Sequence, residues 1–209
     1  MSDYVRGLVE DRTAHPTSDM ISQLVLARDD RDALSTDEII GTCILLLFAG
    51  HETTTNLIGN GFLYSMKHRE QWQRLVDAPG LAESAVEEYL RYDGPSGAFA
   101  RVAAADIDMG GKVIREGQRV FAFMNSANRD PEAFDDPERF DIGRPQNPHM
   151  TFGHGIHFCL GAPLARLEAQ IAVVRLAERL PHIRLCGGEP EWHDSLILRG
   201  VKELPVQLS

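Results

Sequence analysis

The segment from Ser35 to Met66 constrains the fold more than any other part of the sequence. It begins with the capping-type residues Ser35 and Asp37, and its pattern predicts one continuous helix that ends near Met66. The first half of this helix, residues 39–50, is apolar on all sides, as expected of a helix that crosses the interior of a domain. A bilayer requires about 20 apolar residues, and this run is shorter. We therefore expect a buried helix and no membrane partner.

Four shorter helices are predicted elsewhere in the first half of the chain. Apolar spacing and breaker residues indicate them, and the second is expected to be capped by Thr17 or Ser18. We expect the first two of these helices to be peripheral. The four predicted ranges are 3–14, 18–28, 68–78 and 81–92.

The pattern changes after Ala98, where alternating residues predict a small β-sheet. Residues 127–158 follow in an irregular, loop-like order, which in a folded domain is usually functional or disordered. A helix comes next, and short strands over 182–186, 195–200 and 204–208 are expected to close the chain. The apolar residues that recur at helical spacing in that helix are Leu160, Leu164, Leu167, Ile171 and Val174.

The charge of the chain restricts its partners and its location. Lys and Arg total 21 against 31 Asp and Glu, which gives a formal net charge of -10. Because the cationic residues are scattered, nucleic acid is not expected as a partner. The first residues lack the apolar region of a secretory signal, so we expect a cytoplasmic location. The three cysteines are dispersed, which argues against a disulfide framework.

Residues 151–166, TFGHGIHFCLGAPLAR, place three glycines around one cysteine in front of a predicted helix start. Gly153, Gly155 and Gly161 allow positive φ angles and a close approach of the backbone to a flat object. A proline in the first turn of the following helix places Cys159 just before the helix N-terminus. Because the positive end of the helix dipole favours a thiolate over a thiol, the loop is expected to hold a sulfur anion.

Three interpretations of this cysteine compete. A structural cysteine in a tight turn is the commonest fate of a lone cysteine. A zinc site would use His154, His157 and Cys159, but structural zinc usually has four ligands in paired short spacings, and the sequence offers no second pair. An axial thiolate for haem iron needs one cysteine, a closely approaching backbone and a hydrophobic neighbour such as Phe152. The order F-G-x-G-x-H-x-C-x-G favours the third interpretation.

The stretch FGHGIHFCLGAPLARLE resembles the haem-binding loop of the bacterial soluble cytochrome P-450 monooxygenases. This resemblance implies that the cofactor is haem (iron protoporphyrin IX) and that Cys159 is the proximal iron ligand. It also implies that Phe152 packs beside the thiolate and that His157 meets a haem propionate. Gly153 and Gly161 belong to the same cofactor-binding loop.

The sequence AGHETTT lies in the middle of the long predicted helix. Taken alone, it is compatible with threonines that bond back to the preceding turn and with small residues that allow close packing. The resemblance to cytochrome P-450 implies that this helix crosses the distal haem face, with Ala49 and Gly50 as the oxygen-side wall. Glu52 is then the proton-delivery acid and Thr53 the hydroxyl near bound dioxygen. Thr54 replaces Thr53 if the register differs by one residue.

Three further arginines gain a role from the resemblance. Glu88 and Arg91 are three residues apart in VEEYLRY, for which an exposed ion pair is the ordinary interpretation. The family's E-x-x-R motif, with a third charged partner in DPERFD, implies that Glu88, Arg91 and Arg139 form a buried structural triad that fixes the loop leading into Cys159. Arg101 is a strand-edge residue by composition, and a haem propionate partner by the resemblance.

The resemblance extends from about Tyr4 to the end of the chain and implies the cytochrome P-450 fold in a truncated form, mainly α with small β-sheets. Family members are longer, with a block of helices and a sheet ahead of the part seen here. We therefore expect the C-terminal, haem-binding part of such a protein, as one domain over residues 1–209. Its expected parts are peripheral helices (1–34), the distal long helix (35–66), the small sheet (98–126), and the haem loop with its proximal helix (127–180).

Two functions from different classes follow. The first is a haem-thiolate monooxygenase that inserts one atom of dioxygen into a small organic substrate, with electrons from a ferredoxin and its reductase. The second is a haem-binding module with little or no activity unless it is paired. Since large exposed apolar patches tend to find partners, we expect such a module to form a homodimer or to bind a complementary chain.

Overall fold

The computed structural model describes residues 1–27 and 34–208. Their contacts define two compact units, Met1–Glu52 and Thr53–Ser209. The boundary falls inside the long helix, which is continuous across it. That residues 1–209 make one haem domain stays a prediction.

The first unit contains helices α1 (Ser2–Ala14) and α2 (Met20–Leu26) and the beginning of α3 (Thr36–Lys67). The predicted cap of the second helix is wrong. Asp19 is the N-cap, and its carboxylate accepts the Ser22 N–H at 2.8 Å. A carboxylate one residue closer to the helix reaches the free amide that Thr17 or Ser18 would otherwise bind. The predicted end at residue 28 lies outside the described residues.

Helix α3 begins with a capping box, as the sequence predicts. Ser35 Oγ accepts the Glu38 N–H at 3.2 Å, and the Glu38 carboxylate accepts the Ser35 N–H at 2.7 Å. Asp37, the other expected capping residue, instead pairs with Arg6 at 2.8 Å. In the described ranges 1–27 and 34–208, no helix is both long and apolar enough to cross a bilayer.

The apolar run of α3 is not buried on all sides, contrary to the sequence prediction. Ile39, Ile40 and Cys43 pack in the core of the first unit with residues of α1 and α2. In contrast, Leu45 and Phe48 are each 63% exposed, and Leu47 is also exposed. Because α1 and α2 cover one face of α3, the remaining apolar residues face solvent. An exposed apolar patch of this kind is typical of an interaction surface.

The second unit contains the rest of α3 and helices α4 (Arg69–Asp77), α5 (Ala82–Asp93), α6 (Met124–Ala127) and α7 (Ala162–Arg179). A 3-10 turn over Pro79–Leu81 separates α4 from α5, where the sequence predicts a break. Trp72 is fully buried, and its indole N–H donates to the Pro181 carbonyl at 3.0 Å. The other large side chains that fill this core include Leu57, Leu63, Leu75, Val86, Leu90 and Ile142.

The strands form three separate antiparallel pairs rather than one small sheet over 98–126. The register places Ala98 opposite Phe123 in the first pair and Ile107 opposite Ile114 in the second. The predicted strand over 195–200 is wrong, because this segment forms only an isolated bridge between Leu198 and Ser96. The paired strands are β1 (Ala98–Val102) with β4 (Arg119–Phe123), β2 (Ile107–Met109) with β3 (Lys112–Ile114), and β5 (Arg184–Leu185) with β6 (Val206–Gln207).

Helix α7 buries small residues and exposes large ones. Of the apolar series predicted from helical spacing, Val174 packs against the core, whereas Leu164, Leu167 and Ile171 are exposed. The residues of α7 that are buried are Ala162, Ala169, Val173 and Ala177. The close approach that alanines allow brings α7 against α5. The stripe of larger residues remains uncovered.

The packing of α3 against α5 gives a stability prediction. A Cβ added at Gly61 would overlap the buried ring of Tyr89, whose hydroxyl is hydrogen-bonded to Ser65 Oγ at 2.7 Å. We expect Gly61→Ala to lower the free energy of unfolding by about 1–3 kcal/mol, as overpacking does. Urea unfolding followed by circular dichroism measures this change.

Gly59→Ala is the matched control on the same helix. A Cβ there would lie 4.0 Å from Val201 Cγ2, an ordinary contact. Because alanine is the better helix former by about 1 kcal/mol, this variant should be neutral or more stable. Equal effects of the two substitutions would contradict the packing of Gly61 on Tyr89.

Candidate functional site

Cys159 lies in an exposed loop that backbone hydrogen bonds hold in place. Its N–H donates to the Phe152 carbonyl at 2.9 Å, and its own carbonyl accepts the Ala162 N–H at 3.2 Å. A 3-10 turn over Gly155–His157 lies between Phe152 and Cys159, inside the segment that the first of these bonds closes. The second bond is to the first residue of α7, so the thiol is fixed just ahead of that helix, as predicted.

The three loop glycines do not share one role. Gly153 and Gly155 have φ angles of +72° and +67°, a region that other residues rarely adopt. Gly161, expected to do the same, has a φ of -81° and is the N-cap of α7. A Cβ at Gly161 would lie 3.9 Å from the Cys159 sulfur. Gly161 therefore keeps the space beside the sulfur open and supplies no unusual backbone angle.

The side chains around the thiol are apolar and exposed. Ile156 is 98% exposed and Leu160 86% exposed, and Phe158 is about half exposed. Phe152 is half-buried, and its ring packs against the core of the second unit and 6.3 Å from the Phe158 ring. The loop thus presents one sulfur among large apolar groups that the described residues leave uncovered.

The two predicted propionate partners lie on exposed backbone. His157 ends the 3-10 turn, and Arg101 lies on β1, where its guanidinium donates to the Ala100 carbonyl at 2.8 Å. A Cβ at Gly153 would lie 3.9 Å from the Phe99 ring, so β1 runs close to the cysteine loop. Both residues therefore belong to elements near Cys159, and their contact with a propionate stays a prediction.

A zinc site is not assembled in the part of the chain that the structure describes. No group of three or more His, Cys, Asp or Glu side chains there is arranged to hold a metal ion. His154, His157 and Cys159 are all exposed, and they do not converge as ligands. Single ligation of a larger cofactor does not require such a cluster.

The predicted distal residues lie at the middle of α3. Ala49 and Gly50 are exposed, and Glu52 and Thr53 are half-buried. Thr54, the alternative to Thr53, is also half-buried. The setting of the carboxylate and the hydroxyl is thus less enclosed than the sequence predicts, since the apolar residues of the preceding turn face solvent. Their catalytic roles stay a prediction.

Glu88 and Arg91 form a fully buried ion pair on α5. Both side chains are 0% exposed, with Arg91 Nε 2.7 Å and Arg91 Nη2 2.8 Å from the two carboxylate oxygens of Glu88. The remaining donors of Arg91 bind the carbonyls of Asn128, Pro137 and Arg139 at 2.8–3.0 Å. All five guanidinium N–H groups are therefore used, which a buried arginine requires.

The third charged partner of Glu88 is Arg144 rather than Arg139. Arg144 Nε lies 3.3 Å from Glu88 Oε2, and its side chain is 10% exposed. The Arg139 side chain is 62% exposed and pairs with Asp141 at 3.2 Å, so Arg139 enters the buried group only through its carbonyl. The carbonyl of Arg139 points into the buried group, and the side chain of the same residue therefore points to solvent.

Two groups of contacts at this site were not predicted from the sequence. Arg144 and Asn147 both donate to Glu88, from a segment whose pattern predicts only a loop. Glu87 contacts both His149 and Arg166. The pairs are separated by 56–79 residues along the chain, so neither periodicity nor spacing could relate them.

Comparison with known proteins identifies the family. The model of the family described as cytochrome P-450 matches residues 5–78 and 80–193. The chain belongs to the cytochrome P-450 family. The predicted resemblance to this family and the mainly helical fold with small sheets are thereby confirmed.

Several relatives are bacterial cytochromes P-450. The biotin biosynthesis cytochrome P-450 of Bacillus subtilis is 48% identical over 203 residues, which are 97% of this chain and 51% of the relative. The cytochrome P-450 monooxygenase PikC of Streptomyces venezuelae is 44% identical and is matched over 99% of this chain and 51% of its own length. The chain thus spans about half the length of the curated relatives it matches.

A solved structure has the same fold as this chain. The cytochrome P-450 PksS of the Bacillus subtilis bacillaene polyketide synthase superposes with a TM-score of 0.96 at 43% identity. The match covers 100% of this chain and 54% of that one. The fold of the described residues is therefore that of the corresponding part of a cytochrome P-450.

The cysteine loop fits the haem that the family implies. The exposed thiol of Cys159 would supply one ligand to the iron, and the apolar side chains of Ile156, Phe158 and Leu160 on the same loop are exposed. Gly155 adds to the fit because nothing lies within 4 Å of a Cβ placed there, so the backbone of the turn is open to a flat group. One thiolate in an apolar, glycine-lined setting is the donor set of a haem-thiolate centre.

The assignment of Arg144 gives a prediction that separates it from Arg139. Arg144→Met removes a buried hydrogen bond to a charged group, and we expect the free energy of unfolding to fall by about 1.5–3 kcal/mol. Arg139→Met is the matched control, and its effect should stay within about 0.5 kcal/mol because the side chain is exposed. Chemical denaturation of both variants measures the difference. A larger loss of unfolding free energy for Arg139→Met than for Arg144→Met would show that Arg139 is the third charged member of the triad.

Proposed function

We propose that this chain forms the haem-binding part of a monooxygenase that inserts one atom of dioxygen into a small organic substrate. The observation that carries the proposal is the exposed thiol of Cys159. The backbone N–H of this residue donates to the Phe152 carbonyl at 2.9 Å, and the apolar side chains of the same loop are exposed. PikC, a relative that is 44% identical, is described as a monooxygenase. Membership of the same family supports the same class of reaction here.

In this proposal the loop residues bind and orient the cofactor. A haem with a thiolate ligand supplies electron density that favours cleavage of the dioxygen bond. Cys159 provides the sulfur, and the hydrogen bond to Phe152 fixes its direction. Ile156 and Leu160 exclude water from the bound edge of the cofactor. Arg101 and His157 bind its propionates.

Residues of α3 handle protons in this proposal. Glu52 and Thr53 are half-buried neighbours on one helix, and they provide a carboxylate and a hydroxyl that can accept and pass on protons. Ala49 and Gly50 have small side chains that leave room for dioxygen. Electrons come from a ferredoxin and its reductase, and we propose that these reactions occur in the cytoplasm.

Replacement of Cys159 tests the ligand. The Cys159→Ala variant should lose the thiolate-type Soret band that appears when carbon monoxide is added to the reduced, haem-loaded protein. Cys186→Ala is the matched control, since Cys186 is also an exposed free thiol, and Cys43→Ala removes a buried one. Both controls should retain the band. Loss of the band in all three variants, or haem-loaded wild type without it, would contradict the assignment.

Replacement of Thr53 tests the proton path. With the hydroxyl removed, Thr53→Ala should release more hydrogen peroxide per NADPH consumed, because fewer protons reach the productive step. Thr54→Ala is the matched control on the adjacent position. The measurement is the ratio of peroxide to oxidised product with a ferredoxin and reductase. An unchanged ratio for Thr53→Ala with a raised ratio for Thr54→Ala would move the role to Thr54.

The alternative function is a haem-binding module that acts only after association. The stripe Leu164, Leu167 and Ile171 on α7 supports it, because these side chains are more than half exposed and lie one or two turns apart. A continuous apolar stripe on a helix is typical of a packing surface. In this alternative, a second copy or a complementary chain covers the stripe.

Light scattering over a dilution series tests the association. We expect Leu167→Glu to shift the particle mass toward the monomer, because association would bury the added charge, which is costly. Val113→Glu places the same charge at another exposed apolar position and should leave the mass unchanged. A wild-type chain that stays a folded monomer at all concentrations would contradict the association and leave the monooxygenase proposal as the simpler one.

A further inference from the structure

A group of four side chains connects α5, the cysteine loop and α7. We call Glu87, His149, Phe152 and Arg166 the Glu87 cluster. Arg166 Nε and Nη2 donate to the two carboxylate oxygens of Glu87 at 2.7 and 2.9 Å. His149 Nε2 lies 3.0 Å from Glu87 Oε2. Glu87 therefore binds one residue from the loop and one from α7 at the same time.

The cluster is largely shielded from solvent and its charges are fixed. The side chains of His149 and Glu87 are 3% and 23% exposed. Burial raises the pKa of Glu87, but the hydrogen bonds from Arg166 and His149 outweigh it and lower this pKa to about 2. Glu87 is thus ionised at any physiological pH. A two-point arginine–carboxylate pair of this kind is both stronger and more directional than an exposed ion pair.

Contacts at both ring nitrogens hold His149 in place. The Thr151 N–H donates to His149 Nδ1 at 3.3 Å, and His149 Nε2 lies 3.0 Å from Glu87 Oε2. His149 thereby ties the loop to α5.

Within the Glu87 cluster, Arg166 and His149 contact the ring of Phe152 from two directions. The guanidinium carbon of Arg166 lies 4.6 Å from the Phe152 ring centroid, and the His149 ring centroid lies 5.8 Å from it. The carbonyl of the same phenylalanine accepts the N–H of Cys159. A shift of the Phe152 ring therefore moves the acceptor on which the position of the sulfur depends.

The ion pair with Glu87 also keeps Arg166 charged, because it raises the pKa of Arg166 against the opposing effect of burial. The guanidinium that contacts the Phe152 ring is therefore held by a charged, two-point partner.

We propose that Arg166 is a positioning residue for Cys159: Glu87, itself bound by His149, holds the Arg166 guanidinium against Phe152, whose carbonyl in turn holds the backbone of the cysteine. This inference rests on the proposed haem-thiolate function for its effect on the metal. Its effect on the loop does not require the cofactor. The two effects can therefore be measured separately.

The first measurement is amide hydrogen exchange on the haem-free chain. In Arg166→Gln, exchange of the Cys159 amide should become at least about tenfold faster, because the acceptor on Phe152 is no longer held. Arg166→Lys keeps the charge but not the two-point geometry, so it should also be faster. Arg175→Gln is the matched control on the same helix, because Arg175 is exposed and pairs only along α7 with Glu178. It should exchange as the wild type does.

The second measurement is the reduction potential of the haem-loaded protein. Arg166→Gln should change the potential, because the sulfur that binds the metal is no longer held in one position. Arg166→Lys, which also lacks the two-point geometry, should change the potential in the same direction, and Arg175→Gln should keep the wild-type potential. The thiolate-type Soret band should also lose intensity in Arg166→Gln.

The outcomes distinguish this inference from the proposed function. If neither the wild type nor any variant binds haem, the proposed function fails. The exchange rates of the haem-free chain still test whether Arg166 positions the loop. Wild-type exchange and wild-type potential in Arg166→Gln would overturn the inference even if haem binds. If Arg166→Gln does not fold, Glu87→Gln replaces it, since it weakens the hold on Arg166 and leaves the guanidinium in place. Unchanged Cys159 exchange in Glu87→Gln would overturn the inference equally.

Discussion

The buried ion pair between Glu88 and Arg91 determines the path of the chain that leads to the cysteine. Both side chains are 0% exposed, and two charges in an apolar interior are tolerated only when every donor and acceptor is bound. Arg91 satisfies its remaining donors with backbone carbonyls of residues 128–139, and Glu88 accepts the Asp141 N–H at 2.8 Å as well as side chains from the same segment. The irregular segment must therefore pass around the pair in one particular way, although it contains almost no regular structure of its own.

The order imposed by this pair continues to Cys159 through short contacts. Asn128 is fully buried, and its amide accepts the Met150 N–H at 2.7 Å and donates to Thr151 Oγ1 at 2.9 Å. Thr151 in turn donates to the Leu90 carbonyl on α5 at 2.7 Å. The next residue is Phe152, whose carbonyl holds the Cys159 N–H. A loop of this length would ordinarily be mobile, and here side-chain hydrogen bonds to α5 replace the ladder that a strand or helix would supply.

The sequence was sufficient for the helices and the cysteine loop, because periodicity and capping are local properties. Ser35 and the breaker at residues 79 and 80 show this clearly. The sequence was insufficient to predict which face of a helix is buried and which side chain turns inward. The stripe at Leu164 and Leu167 has the spacing of a core face, yet the structure buries the alanines of α7. The exchange of Arg139 for Arg144 has a similar cause, since a motif specifies that an arginine is nearby but not which side chain turns inward. In both cases the deciding contact comes from residues distant in the chain.

The surroundings of Cys159 combine two environments with different consequences. On the backbone side, Phe152 is held in place by the other residues of the Glu87 cluster, whose charged and aromatic side chains contact one another. Around the sulfur itself, Ile156, Phe158 and Leu160 are exposed, although the Phe158 ring lies near that of Phe152. Fixing the position of Cys159 costs conformational entropy, and in this chain hydrogen bonds that are present without a cofactor offset that cost. The apolar side chains remain available to a flat, apolar group, so burial of that group adds to binding and does not have to order the loop first.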